Sequence, residues 1–139
     1  LLAGRRLTDA MGRHVASETV TLMLTKNLPV TDSRILILGF TFKENCPDVR
    51  NTRVIDIYNE LRSYHAHVDI YDPRADAAIV TNEYGLDLLP EMPEMADYSA
   101  LVLAVAHDEF TQLSLTTHDA CVVYDVKGVL ARGKVDKRL

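Results

Sequence analysis

Apolar residues recur along this chain in two rhythms. Residues 1–28 hold no proline, and Leu7, Met11 and Val15 return every four positions, the repeat of one helical face. Beyond Val15 the apolar positions widen to Ala16, Val20, Leu22, Met23 and Leu24, covering most of the circumference. A helix apolar on several sides is expected to be sandwiched between partners rather than laid on one core. Pro29 predicts its end, and Thr31-Asp32-Ser33 reads as a polar connector.

After the connector the rhythm changes. Ile35–Leu38 is a continuous β-prone run, as expected of a strand buried on both faces. Val54, Ile57, Tyr58 and Leu61 mark a helical stripe, and Val68 and Ile70 alternate with polar neighbours until Asp72-Pro73 turns the chain. A short helix is predicted over 75–84, closed by Gly85, with Leu86–Leu89 as a weak strand. Leu101–Val105 reads as a second buried strand, Asp108 as the N-cap of a short helix, and Cys121–Tyr124 as the last strand. No segment repeats. Alternating strands and helices predict an α/β fold: a Rossmann-like, doubly wound, mostly parallel sheet preceded by a long N-terminal helix. The division expected is a helix over 1–28 and a Rossmann-like domain over 33–139.

At 139 residues the chain suits one compact domain with a core of its own. Charged residues make up 25% of the chain, too balanced a composition for disorder. The formal charge of −5 argues against nucleic acid or an anionic membrane as the main partner. Cys46 and Cys121 form no CxxC, so neither a disulfide framework nor a zinc site is indicated, and this usage fits a reducing cytosol. No apolar run approaches the roughly 20 residues of a membrane span. Because the chain opens Leu-Leu-Ala rather than with Met, we expect it to be part of a longer protein.

In such folds ligands sit at the carboxyl ends of the strands. The first strand runs into Gly39-Phe40-Thr41-Phe42-Lys43, a loop continuing to Asp48 and Arg50. It lacks the glycines by which backbone approaches a dinucleotide pyrophosphate, but it carries the cations Lys43 and Arg50 near a helix start. Side chains would hold a phosphate here; the plainer reading is a surface loop with Arg50 paired to Asp48. His107 is placed at a strand edge facing the cleft, where a lone histidine is more often structural than functional. Asp125-Val126-Lys127-Gly128 delivers a carboxylate, a cation and a glycine to the same edge, where Lys127 and Lys43 could meet across a cleft. Asp72 reads as a turn residue and Cys46 as an inert thiol, while Met92 and Met95 around Pro93 read as packing. The five histidines show no ligand spacing, so no metal site is expected.

Read whole, residues 37–54 resemble the GxxFKxxxxDxRxS/T signature of the nucleotide-sugar 6-dehydrogenase family, which opens its C-terminal UDP-binding domain. The resemblance extends over nearly all of the chain. Residues 4–12 are similar to the family's dimer-forming central helix, Tyr71-Asp72-Pro73 to the end of its second strand, Ala104–Phe110 to its AVAHxxF segment and Asp125–Gly128 to its D-x-K/R-G ending. The FKENCPDxRNT wording is nearest the branch acting on UDP-N-acetylhexosamines for surface polysaccharides.

The resemblance implies an enzyme of tandem Rossmann domains that oxidises a sugar's primary alcohol to a carboxylate. It does so in two hydride transfers to NAD, through a thioester on a cysteine. Phe42 and Lys43 would contact the uridine diphosphate, Lys127 the sugar or phosphate, and Asp48 with Arg50 would order the loop. Thr8 stands where the family has asparagine and is given no role. The family's glycine-rich cofactor loop, GGxC cysteine and catalytic lysine have no match here, so no catalytic residue is assigned, Cys46 included. NAD would be held by an N-terminal domain outside this chain. The expected partners are a UDP-sugar, that domain and a second copy through helix 1–28, in the cytoplasm. A stand-alone nucleotide-binding or dimerisation module is the alternative, and an NAD-binding domain is disfavoured by the lone Gly39.

Overall fold

The computed structural model describes residues 2–50, 52–111, 121–127 and 135–138, with backbone alone for residues 2–10, Ala96, Lys137 and Arg138. Alternation along the strands sorts their side chains between two cores, because successive residues point to opposite faces. In β1 (Arg34–Leu38), Ile35 and Ile37 enter one core while Leu36 and Leu38 enter the other. β3 (Ala100–Leu103) and β4 (Val122–Asp125) repeat the split, with Val102 and Tyr124 on the first side and Leu101 and Val123 on the second. With β2 (His67–Tyr71) and β5 (Lys137–Arg138) they form one parallel sheet in the order β2-β1-β3-β4-β5. This is the α/β Rossmann-like sheet that the sequence pattern implies.

The first core is closed by α1 (Leu2–Thr25) and α2 (Val54–Ser63), which also pack on each other. Val15, Ala16, Val20 and Met23 of α1 are buried with the sheet residues, so this helix shares the domain's core. Gly12 permits the close crossing: a Cβ there would lie 2.7 Å from the Asp56 Cβ of α2. α2 buries Val54, Ile57 and Leu61, while Tyr58 stays half-buried. The second core is covered by the segment carrying Leu89, Met92, Met95 and Tyr98, and by Phe110 of α4 (Asp108–Thr111). α3 (Ala77–Tyr84) is bounded by local chemistry alone. Asp76 caps it by accepting from the Ala78 and Ile79 amides, and Gly85 ends it at φ 67°.

Four expectations need correction. The first helix stops at Thr25 rather than at 28. Asn27, at φ 60°, turns the chain, and the Asn27 and Leu28 amides donate back to the Leu24 and Met23 carbonyls, a left-handed helix stop that acts before Pro29. Leu86–Leu89 is not a strand. Its one ladder-like bond runs from the Leu89 amide to the Ile70 carbonyl (2.9 Å), and its leucines divide between the two cores. Cys121–Tyr124 is not the end of the sheet, because β5 pairs with Tyr124 and Asp125. Finally, Asp108 does not cap α4 with its side chain: its own amide donates to Asn45 Oδ1 (2.9 Å), and the His107 carbonyl accepts from Phe110.

Candidate functional site

Strand order reverses between β1 and β3, and the chain exits there on opposite sides of a crevice, the usual ligand position of an open α/β sheet. Gly39 ends β1 at φ 97°. A Cβ on it would lie 2.5 Å from the Val105 Cβ, so only glycine lets these exits approach so closely. Beside them lies a cleft of about 260 Å³ lined by Thr41 and Phe42 after β1, Ala104 after β3, Lys127 after β4, and Arg53 and Met11 from the helices. A second lobe of about 210 Å³ continues behind Arg53 between Met11, Val15, Ile57 and Val126. The cleft is therefore cationic and polar at its mouth and apolar inside, although Glu44 also borders it.

A buried carboxylate organises the loop above the cleft. Asp72 Oδ2 accepts from the amides of Phe40 (2.6 Å) and Thr41 (3.2 Å), and Oδ1 accepts from those of Arg74 (2.8 Å) and Ala75 (3.0 Å). His107 Nε2 lies 2.9 Å from the same Oδ2. Burial opposes ionisation of Asp72 most strongly of any single influence. The hydrogen bonds from His107, Phe40 and Arg74 together outweigh it, so the carboxyl sits below its ordinary value. The far end of the loop is clasped by α3, whose Tyr84 hydroxyl donates to the Val49 carbonyl (2.6 Å) while its ring meets Phe40 edge-on.

The residues singled out from sequence are only partly brought together. Phe42 and Lys127 both line the cleft. Lys43 does not line it, because its Nζ extends in solvent 5.8 Å from the Phe42 ring centroid. Asp48 and Arg50 form the expected ion pair (3.1 Å), which together with the Arg50 amide lowers the Asp48 carboxyl, and the Asp48 carbonyl accepts from the Phe42 amide (2.9 Å). His107 does not face the cleft: it is fully buried behind the loop, because Asp72, Thr41 and Asn45 engage both of its ring nitrogens. Asp72 is more than a turn residue for the same reason. Gly128 lies outside the described residues, as do the side chains of Leu7 and Thr8. Arg53, three residues past Arg50 and inside the motif segment, is given no role by the sequence. Its position at the start of α2 was the available signal.

The same geometry tests whether this chain fits a dinucleotide. In a glycine-rich turn the amides after the first strand meet the pyrophosphate. Here the Phe40 and Thr41 amides are already taken by the Asp72 carboxylate, whose charge would repel a phosphate at that point. An NAD pyrophosphate therefore does not fit this turn. Among the described residues no group of three His, Cys, Asp or Glu could hold a metal ion, and no helix is long and apolar enough to cross a membrane.

Fold and cleft together define a Rossmann-like domain of the nucleotide-binding kind. Residues 36–132 match the family model described as the UDP-glucose/GDP-mannose dehydrogenase family, UDP binding domain, and the chain belongs to that family. It is 45% identical over its whole length to UDP-N-acetyl-D-glucosamine 6-dehydrogenase of Salmonella typhi and 43% to that of Pseudomonas aeruginosa. It spans only 34% of either relative. Among solved structures, an NDP-N-acetyl-D-galactosaminuronic acid dehydrogenase from Methanosarcina mazei aligns with 94% of this chain and 28% of its own at a TM-score of 0.78 and 21% identity. The UDP-N-acetyl-mannosamine dehydrogenase Cap5O from Staphylococcus aureus aligns with 96% of this chain and 30% of its own at a TM-score of 0.70 and 24% identity, a likeness of fold.

Proposed function

We propose that this chain is the substrate-nucleotide half of an NAD-dependent UDP-sugar 6-dehydrogenase, taking a UDP-N-acetylhexosamine for polysaccharide synthesis. The observation that carries this reading is the cleft at the β1/β3 switch point, where Phe42, Lys127 and Arg53 line one opening. Phe42, 48% exposed, offers a ring face to a base or sugar, and the two cations face a diphosphate. Lys43 adds charge from outside the opening, and Asp48 with Arg50 orders the loop. The whole enzyme would oxidise the sugar's primary alcohol through the aldehyde level to a carboxylate, consuming water and passing two hydrides to two NAD. NAD would be bound by another domain, since the turn after β1 does not fit it. Cys46 and Cys121 are free thiols, which supports a cytoplasmic setting.

Calorimetric titration tests this directly: UDP should bind the chain and NAD should not. Incubation with UDP-N-acetylglucosamine and NAD should yield no NADH, because hydride transfer needs a cofactor and thiol held together. Turnover by the chain alone would overturn the assignment of halves.

We also infer self-association through residues 1–28, on a narrower surface than the sequence pattern implies. Val15, on the same helical face as Met11 in the sequence repeat, is buried within the chain's own core. Met11 (48% exposed) and Leu24 (60%) remain as the large apolar side chains at its described surface. Light scattering should find a dimer that Met11→Lys weakens, whereas a monodisperse monomer at high concentration would refute the inference.

A further inference from the structure

Three of the loops leaving the carboxyl edge of the sheet, those after β1, β2 and β3, are joined by one buried imidazole. His107 Nδ1 lies 2.8 Å from the Asn45 backbone nitrogen, and an amide N–H can only donate, so Nδ1 must be the unprotonated nitrogen. The proton of the neutral ring is therefore on Nε2, 2.9 Å from Asp72 Oδ2 and 3.1 Å from Thr41 Oγ1. Thr41 Oγ1 donates its own hydrogen to the Lys43 carbonyl (2.8 Å), which leaves it free to accept from Nε2. Every donor then meets an acceptor, and only the neutral Nε2–H ring achieves this. A second proton, on Nδ1, would point one donor at another across 2.8 Å in a site with no access for water.

We propose that His107 is a positioning residue for the nucleotide loop: as the Nε2–H tautomer it holds residues 41–45 in place, and its protonation releases them. This rests on reading the cleft as the diphosphate site, since Phe42 belongs to that loop. The loop is tied to the imidazole's own segment a second time, because Asn45 Oδ1 accepts from the Asp108 amide (2.9 Å) and its Nδ2 donates to Asp108 Oδ1 (3.3 Å). The charged groups nearest the ring are Asp72 from the β2 exit, Arg74 paired with Glu109 at 2.9 Å, and Asp108 on α4, while the loop's own Lys43 and Glu44 are exposed. The Asn45 amide donates to the one ring nitrogen able to take a second proton.

Nitrogen-15 NMR of the histidines, with UDP-N-acetylglucosamine titrated at stepped pH, tests the proposal on the unaltered chain. This ligand is a diphosphate diester without a group that titrates between about pH 5 and 8, so a change in affinity reports the protein. At neutral pH His107 should show the Nε2-protonated tautomer. As it gains a second proton, amide protection at Phe42 and Asn45 and affinity for the ligand should fall together, affinity by about 10-fold. An Nδ1-protonated tautomer, or affinity that stays level while His107 protonates, overturns the proposal.

Two variants separate positioning from bulk stability. His107→Gln keeps a donor for Asp72 but gives the Asn45 amide no acceptor, and should bind about 10-fold more weakly. His107→Asn places an oxygen near the Nδ1 position, should recover part of that loss, and like His107→Gln should lose the pH dependence. Folded His107→Gln that binds as the parent does would count decisively against the role. A parent chain that binds no UDP-N-acetylglucosamine at any pH would sink the nucleotide reading. The positioning role is then judged by amide exchange at Asn45, and exchange indifferent to His107 protonation overturns it too.

Discussion

Replacing Asp72 by Asn is expected to cost about 3–5 kcal/mol of folding stability, because a buried carboxylate accepting several donors is worth about 1.5–3 kcal/mol per bond. Four backbone amides and the His107 ring converge on its two oxygens. An asparagine amide would turn a donor toward either the Phe40 and Thr41 amides or the Arg74 and Ala75 amides, whichever way it lies. Urea denaturation of the two proteins measures the difference, and a loss below about 1 kcal/mol would show that the loops are held by something else. The direction of the pKa shift adds a pH signature. A carboxyl held below its ordinary value in the fold contributes stability that is fully present above that ordinary value, about 3.9, and is lost as pH falls toward the lowered one. Asp72→Asn should therefore flatten the acid limb of the stability profile.

Lys127→Gln should weaken UDP binding by about 10- to 150-fold, the equivalent of one charge-assisted hydrogen bond of roughly 1.5–3 kcal/mol. Lys127 is the cation that β4 delivers to the cleft mouth, its amide held by Asp125 Oδ1 at 3.2 Å. Lys127→Arg should be tolerated better, since either cation serves a phosphate. Arg53→Gln should cost about 10-fold, whereas Lys43→Gln, outside the opening, should cost only about two- to fivefold through its screened charge. Affinity should fall as salt rises, and each loss of a cation should flatten that dependence. Calorimetry on variants shown to be folded decides the matter: if Lys127→Gln and Arg53→Gln both bind as the parent does, the diphosphate lies elsewhere.

What could be read from sequence follows the range of the interaction concerned. The central strands were legible because burial on both faces demands unbroken apolar runs, as in Ile35–Leu38 and Leu101–Leu103. α3 was legible because Asp76 and Gly85 cap it within its own segment. The first helix's end was misplaced because a left-handed Asn27 stops a helix as well as a nearby proline does and leaves a fainter mark. β5 carries no apolar pattern, being Lys137 and Arg138, and exists only because β4 offers it an edge.

By itself the sequence determined the fold class and the motif loop, since each is written in contiguous residues; Lys127 stood out as a cation at a strand end, and Phe42 only through the family resemblance. The tertiary structure decided which cations share an opening and what holds the loop. Arg53 reaches the cleft because α2 starts beside the β4 exit, and Lys43 misses it because of how the loop turns. His107, 35 residues from Asp72 and 62 from Asn45, looked like a cleft histidine while its partners were unknown. Its burial, tautomer and role depend on hydrogen bonds among three separate loops, and those bonds exist only once the parallel sheet has set its strand ends side by side.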